Sequence, residues 1–147
     1  MLAMTKKTGY GLIAMTHLAQ LDGDTVSSAR EISEQFGVPQ SLLMNVLKEL
    51  ASAGYVESVR GARGGYRLAL DPEQITLADL IVAVEGPIRL AECVAGHDAV
   101  PDGRPCRIVD RCPIADPVHR VHRRLSDFLK TVTLAEIVNP AARAAQE

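Results

Sequence analysis

The clearest hydrophobic pattern in the chain covers residues 41–53, where apolar side chains recur at three- and four-residue spacing. This spacing predicts an amphipathic helix. Its inner stripe is formed by Leu43, Val46, Leu47 and Leu50. Gly54 follows the last turn, where glycine commonly ends a helix. The outward-facing positions are Gln40, Ser41, Leu42, Met44, Asn45 and Lys48.

A second helix is predicted directly before the first. Ser28 and Glu31 have the three-residue spacing of a capping box, and a Gly-Val-Pro turn follows at residues 37–39. The predicted inner stripe of this helix is Ala29, Ile32, Ser33 and Phe36. Two helices joined by a short glycine-containing turn predict a helix-turn-helix. A further helical pattern over residues 8–21 is expected to pack on this pair.

A β-hairpin is predicted after the helix-turn-helix. Two short runs, 56–59 and 66–70, flank a tip that holds Gly61, Gly64 and Gly65. No Asp or Glu lies between Ser58 and Leu70, and the hairpin carries Arg60, Arg63 and Arg67. A basic hairpin after a helix-turn-helix is typical of a winged helix-turn-helix, in which the recognition helix enters the major groove.

The side chains on these two elements suit DNA. Asn and Gln can pair with adenine edges, while Ser, Lys and Arg suit phosphates. The expected DNA contacts are Gln40, Ser41, Asn45, Lys48, Arg60 and Arg63. The formal net charge of -2 is unusual for a nucleic-acid binder. A phosphate, however, responds mainly to charges within about a Debye length, ~8 Å, so the local arginines matter more.

The second half of the chain is less regular. A helix is predicted over residues 76–86, but residues 88–113 show no sustained periodicity. A helix with a narrow apolar stripe starts at Asp116 and is expected to pair with its symmetry mate in a homodimer. Thr133 is the predicted cap of a last short helix. The predicted fold is therefore mainly α with a small β-hairpin wing: residues 1–87 form the winged helix-turn-helix, 88–113 a cysteine-bearing loop, and 114–147 the dimerisation and C-terminal helices.

Three cysteines lie within the irregular segment, at Cys93, Cys106 and Cys112. An odd cysteine count points away from a disulfide framework and toward metal binding or thiol chemistry. From the local sequence alone, an iron–sulfur cluster, a structural zinc site and a redox switch remain open. The absence of 18 consecutive apolar residues and of a signal-cleavage pattern predicts a cytoplasmic protein with no membrane partner.

Several segments together resemble one bacterial family. They are TKKTGYGLIAMTHLA, EISEQFGVPQSLLMNVLKELASAGYVESVRGARGGYRLA, TLADLIVAVEGP, the clustered cysteines and FLKTVTLAEIV. Over nearly its whole length the chain resembles the winged-helix regulators of the IscR, NsrR and RirA type, the Rrf2 family. The resemblance implies a homodimeric transcription regulator of a palindromic operator. It also implies a 2Fe-2S or 4Fe-4S cluster on Cys93, Cys106 and Cys112 that sets DNA affinity in response to iron, redox or nitric oxide status.

The chain departs from these relatives at the fourth cluster ligand. IscR-like members carry a His three residues after the last Cys, where this chain has Ala115, and NsrR-like members carry an Asp where it has Gly9. The remaining candidates are a water or small thiol, His97, Asp110, His119 and His122. Two other classes stay open: a cluster-free or zinc-stabilised regulator controlled by a protein partner or thiol oxidation, and a metalloenzyme. The enzyme is disfavoured because no catalytic grouping is present.

Overall fold

The computed structural model describes residues 4–94 and 106–140 of the 147-residue chain. Within these residues the backbone forms six α-helices and one hairpin: α1 (Lys6–Ala19), α2 (Ala29–Phe36), α3 (Gln40–Ser52), β1 (Val56–Val59), β2 (Gly65–Leu68), α4 (Leu77–Glu85), α5 (Ala115–Thr131) and α6 (Leu134–Val138). Short 3-10 turns lie at residues 72–74, 92–94 and 109–111. The predicted fold, mainly helical with a two-stranded wing, is confirmed.

The helix-turn-helix forms where the capping signals predicted it. The Ser28 hydroxyl accepts from the Glu31 amide at 3.2 Å, and the Glu31 carboxylate accepts from the Ser28 amide at 2.6 Å. These two bonds satisfy backbone donors that have no partner within the first turn of α2. Gly37 ends the helix with φ +66°, a left-handed conformation that favours glycine. The chain can therefore turn at once into α3.

One hydrophobic core supports these elements. The four predicted stripe residues of α3 are fully buried, and α1, α2 and α4 supply other fully buried side chains: Met15, Ile32 and Leu80. Phe36, predicted to point inward from α2, is instead 43% exposed. It is the last residue of its helix, and its ring meets the edge of His17 with centroids 5.5 Å apart. Ala29 and Ile32 form the buried part of the α2 stripe.

The wing is an antiparallel pair in which Val56 lies opposite Leu68 and Val59 opposite Gly65. Strand β2 begins and ends slightly earlier than the predicted 66–70 run. It is extended by a bridge to the segment before α2, since the Ser27 amide donates to the Tyr66 carbonyl at 3.0 Å and the Tyr66 amide donates to the Ser27 carbonyl at 2.8 Å. A Cβ at Gly65 would lie 2.6 Å from the Ser27 carbonyl carbon, so glycine permits this close approach.

The C-terminal helices behave differently from each other. Helix α5 packs on α4 and on the 92–94 turn, yet none of its residues is fully buried. Helix α6 returns to the first core, where Leu134 is 1% exposed and its amide donates to the Ile75 carbonyl at 2.8 Å. The predicted Thr133 cap of α6 is confirmed.

The predicted domain divisions at residues 87 and 113 stay predictions. No helix in the described ranges has the length and apolar character needed to cross a membrane.

Candidate nucleic-acid interface and cysteine segment

The outer face of α3 is available to a ligand. All six positions predicted to point outward are exposed: Gln40, Ser41, Leu42, Met44, Asn45 and Lys48. The helix starts after Pro39, and no described side chain caps its first turn. The first-turn amides of α3 therefore have no side-chain acceptor, and such amides at a helix N-terminus can bind a phosphate oxygen.

The wing arginines fall into two groups. Arg60 and Arg63 are exposed at the tip and make no ion pair with any residue that the structure describes. Arg67 differs, because its guanidinium pairs with Glu57 at 3.0 Å and with Asp24 at 2.8 Å. Arg67 was not among the expected DNA contacts, and its guanidinium is engaged in ion pairs within the folded chain. Its pairing with Glu57 could have been found from the hairpin register, since the two residues lie directly opposite each other.

A groove of about 640 Å³ lies between the first turns of α1 and the side of α3. Its lining residues are Thr5, Lys6, Lys7, Tyr10, Leu42, Asn45, Lys48 and Glu49. The sequence did not reveal this groove or its central contact. The Lys7 ammonium donates to the Glu49 carboxylate at 2.9 Å and to the Val84 carbonyl at 2.7 Å. Lys7 therefore joins three helices, α1, α3 and α4, at one point.

A second set of bonds joins α1 to the end of α4. The Glu85 carboxylate accepts hydrogen bonds from the hydroxyls of Thr5 and Thr8, the latter at 2.8 Å. The bond from Thr5 is the main cause that holds the pKa of the Glu85 carboxyl below its usual value, and the bond from Thr8 and the charge of Lys7 act in the same direction. The last turn of α4 is thus fixed against the first turn of α1.

The three cysteines are partly exposed and free, with no disulfide. Cys93 lies in the 92–94 turn that contacts α5, and the Cys112 carbonyl accepts from the Ala115 amide at 3.3 Å where α5 begins. Thiolates are the usual ligands of iron–sulfur clusters, so the donor chemistry fits. Nevertheless, among the described residues no three Cys, His, Asp or Glu side chains converge on a possible metal position. Residues 95–105, between Cys93 and Cys106, lie outside the described part.

The candidate fourth ligands are spread over two elements. Asp110 is exposed in the 109–111 turn, whereas His119 and His122 are half-buried on α5. The Nδ1 atom of His122 is buried and has no hydrogen-bond partner in the described residues. His97 lies outside them. The geometry therefore does not select among the candidates.

Comparison with known proteins places this architecture in a family. A family model described as Rrf2, iron-dependent transcriptional regulator, matches residues 4–140. The chain is 28% identical to the HTH-type transcriptional regulator NsrR of Geobacillus kaustophilus over 139 residues, which cover 95% of this chain and 91% of the relative.

Two solved structures are similar over nearly the full length. The global cysteine regulator CymR of B. subtilis is 28% identical, with a TM-score of 0.70, covering 94% of this chain and 97% of that one. IscR of T. potens is 30% identical, also with a TM-score of 0.70, covering 97% and 90%. The family match, the helix-turn-helix and the hairpin agree with one another. This chain belongs to the Rrf2 family of winged-helix transcription regulators.

Proposed function

We propose that the chain is a homodimeric operator-binding protein whose affinity for DNA is set by an iron–sulfur cluster held by Cys93, Cys106 and Cys112. DNA binding follows from the family. For the contacts themselves, the supporting observation is that α3 and the wing hairpin are adjacent elements with exposed side chains. Arg60 and Arg63 on this hairpin make no ion pair within the described residues. Gln40 and Asn45 would read bases, while Ser41, Lys48 and the arginines would contact the backbone.

The cluster assignment rests on donor chemistry and on relatives. The chain matches a family model described as iron-dependent, and it resembles proteins named NsrR and IscR. It supplies three free thiols on the segment that joins α4 to α5. When bound, a cluster would tie Cys93 to Cys106 and Cys112 and so change the shape of this segment when it forms or is lost.

The end of α4 is the route by which such a change would reach DNA. The cysteine segment begins directly after α4, whose last turn is bonded to α1 through Glu85 and Lys7. Lys7 in turn binds Glu49 on α3. A difference of ~1–3 kcal/mol between cluster states would change operator affinity by roughly 5- to 150-fold.

The homodimer is proposed to form through α5. Val121 and Phe128 are 55% and 50% exposed on this helix and lie seven residues apart. Together with Ile114, Val118 and Leu125 they recur at alternating four- and three-residue spacing, which is typical of helices that pair with each other. A twofold dimer would place two recognition helices on a palindromic operator.

The first experiment is purification under argon, followed by iron and sulfide analysis and absorption spectroscopy. The operator duplex is selected from a random pool, and its affinity is measured by fluorescence anisotropy. We expect a coloured protein whose affinity changes when a chelator removes the iron. Single Cys-to-Ala changes at the three cysteines should each remove the colour and leave a folded dimer. Ile108→Ala serves as the control, because this exposed residue lies beside the 109–111 turn and has no metal-binding group. A colourless, iron-free protein with chelator-insensitive affinity would refute the cluster.

A cluster-free thiol switch is the second candidate. It is favoured by the observation that the three thiols do not converge on a metal position among the described residues. It is also favoured by the similarity to CymR, the global cysteine regulator of B. subtilis. In such a switch two thiols would form one disulfide and pass two electrons and two protons to an oxidant. Operator affinity that responds to peroxide and is restored by dithiothreitol, in iron-free protein, would support this candidate.

A further inference from the structure

We propose that the groove between α1 and α3 holds a stretch of the operator's phosphate backbone, with Lys6 as a DNA contact on α1. This inference rests on the proposed docking of α3 in the major groove, and it adds a third contact surface to the recognition helix and the wing. The groove is half open, and its walls come from the first turns of α1 and from one side of α3.

The charge of the groove is positive although the whole chain is slightly acidic. It contains three lysines, Lys6, Lys7 and Lys48, and one carboxylate, Glu49. The charges of Lys7 and Glu49 cancel each other, because the Lys7 ammonium lies 2.9 Å from a Glu49 carboxylate oxygen. Lys6 and Lys48 are exposed and have no ion-pair partner within residues 4–94 and 106–140. In the described part of the chain, two ammonium groups without an ion-pair partner therefore lie on opposite walls of one groove.

Lys7 has a positioning role in this arrangement. Its ammonium already donates to the Val84 carbonyl at 2.7 Å and to Glu49, and both bonds are partly buried. The second oxygen of the Glu49 carboxylate is buried and has no described hydrogen-bond partner. Without Lys7 this carboxylate would carry an uncompensated negative charge beside the approaching phosphates. Lys7 thus makes the groove acceptable to an anion without touching DNA.

A duplex strand fits this groove better than a small free anion. Ser41, Asn45 and Lys48 lie at i, i+4 and i+7, so they form one edge of α3. A helix about 10–12 Å wide fills a major groove about 12 Å wide, so the flanking phosphates run along its edges. Because Asn45 and Lys48 also line the groove, the strand beside this edge would pass Lys6 on α1. An open groove would hold a small anion weakly, whereas a strand is anchored on both sides.

The test measures how operator affinity depends on salt. Each lost phosphate contact should reduce the slope of log K against log [KCl] by ~0.9 and weaken binding about fivefold at 0.15 M salt. We expect this result for Lys6→Met and Lys48→Met. Lys130→Met is the matched control, because this exposed lysine lies on α5 and pairs only with Asp127 at 3.8 Å in the described structure. An unchanged slope for Lys6→Met overturns the proposal.

A second pair of variants distinguishes a positioning role of Lys7 from a direct contact between Lys7 and a phosphate. Lys7→Met should weaken operator binding, and Lys7→Met combined with Glu49→Gln should restore most of it, because the uncompensated carboxylate is then gone. A direct phosphate contact by Lys7 would not be restored by this second change, and that result would refute the positioning role. Thermal melting of each variant confirms that it is folded.

The outcome also distinguishes this proposal from the proposed function. If the unmodified protein binds no duplex, the docking of α3 fails. If it binds and Arg60→Ala weakens binding, while Lys6→Met behaves like Lys130→Met, only the groove assignment fails. Inorganic phosphate serves as the free-anion probe. If inorganic phosphate displaces the duplex from the unmodified protein and from the Lys6→Met variant at the same phosphate concentration, the groove holds no strand of the operator.

Discussion

Replacing Phe128 with Ala tests whether α5 pairs with its symmetry mate. The residue is 50% exposed in the single chain. A phenylalanine buries ~150–250 Å², so about 100 Å² remains to be covered. At ~25 cal/mol per Å² this area is worth ~2.5 kcal/mol per copy, or ~5 kcal/mol in a twofold dimer that uses the residue twice. Alanine keeps part of the contact, so we expect a loss of about 2–4 kcal/mol and a dissociation constant raised roughly 30- to 700-fold.

Sedimentation equilibrium of protein prepared with and without iron measures this constant directly. Leu70→Ala is the matched control, because Leu70 is also an exposed large apolar residue, 41% exposed, but it follows the wing strand β2. The control should leave the dimer unchanged, and neither change should lower the melting temperature measured at low concentration by more than a few degrees. A Phe128→Ala protein that dimerises within threefold of the unmodified chain would show that α5 does not carry the interface.

Three further changes probe the fold and the wing. Leu134→Ala should lower the free energy of unfolding by about 2–5 kcal/mol in urea titrations, because the side chain is buried in the first core. Gly65→Ala should reduce both the melting temperature and operator affinity, since its Cβ would collide with the Ser27 backbone; Gly9→Ala, with open space around it, is the control. The pKa of Glu85 is lowered in the fold, so its stabilising contribution is present above the ordinary carboxyl pKa and lost as pH falls through the folded value. The melting temperatures of the unmodified protein and Glu85→Gln should therefore converge in acid.

The local parts of the fold could be predicted because they depend on neighbouring residues. The stripe of α3, the capping box of Ser28 and Glu31, and the Thr133 cap all involve separations of a few residues. The prediction for Phe36 was wrong because the helical pattern continues to the last residue of α2, whose half-exposed ring packs against His17. Sequence periodicity indicates which face of a helix a residue lies on. It does not indicate which residues pack against a side chain at the end of the helix.

The contacts that organise the candidate site join distant parts of the chain. The Lys7 bonds reach Glu49 and Val84, and the Arg67 pair with Asp24 links the wing to the loop before α2. A basic residue near a chain start is usually solvated, and nothing in its neighbours distinguishes Lys7 from Lys6. Such ion pairs follow from tertiary packing, so they became visible only in the folded chain.

Both ends of the segment that carries the cysteines and α5 are attached to the same core. Before it, Thr76 forms a bridge with Thr133, and the Leu77 amide donates to the Val132 carbonyl at 2.8 Å. The segment thus leaves the core after α4 and returns beside the start of that helix. Under the proposed cluster control, a change in the shape of the cysteine segment would therefore act on both ends of α4. Because α4 packs on α1 and α3, the proposed control by the cysteines would act on α3 through a helix that is attached at both ends.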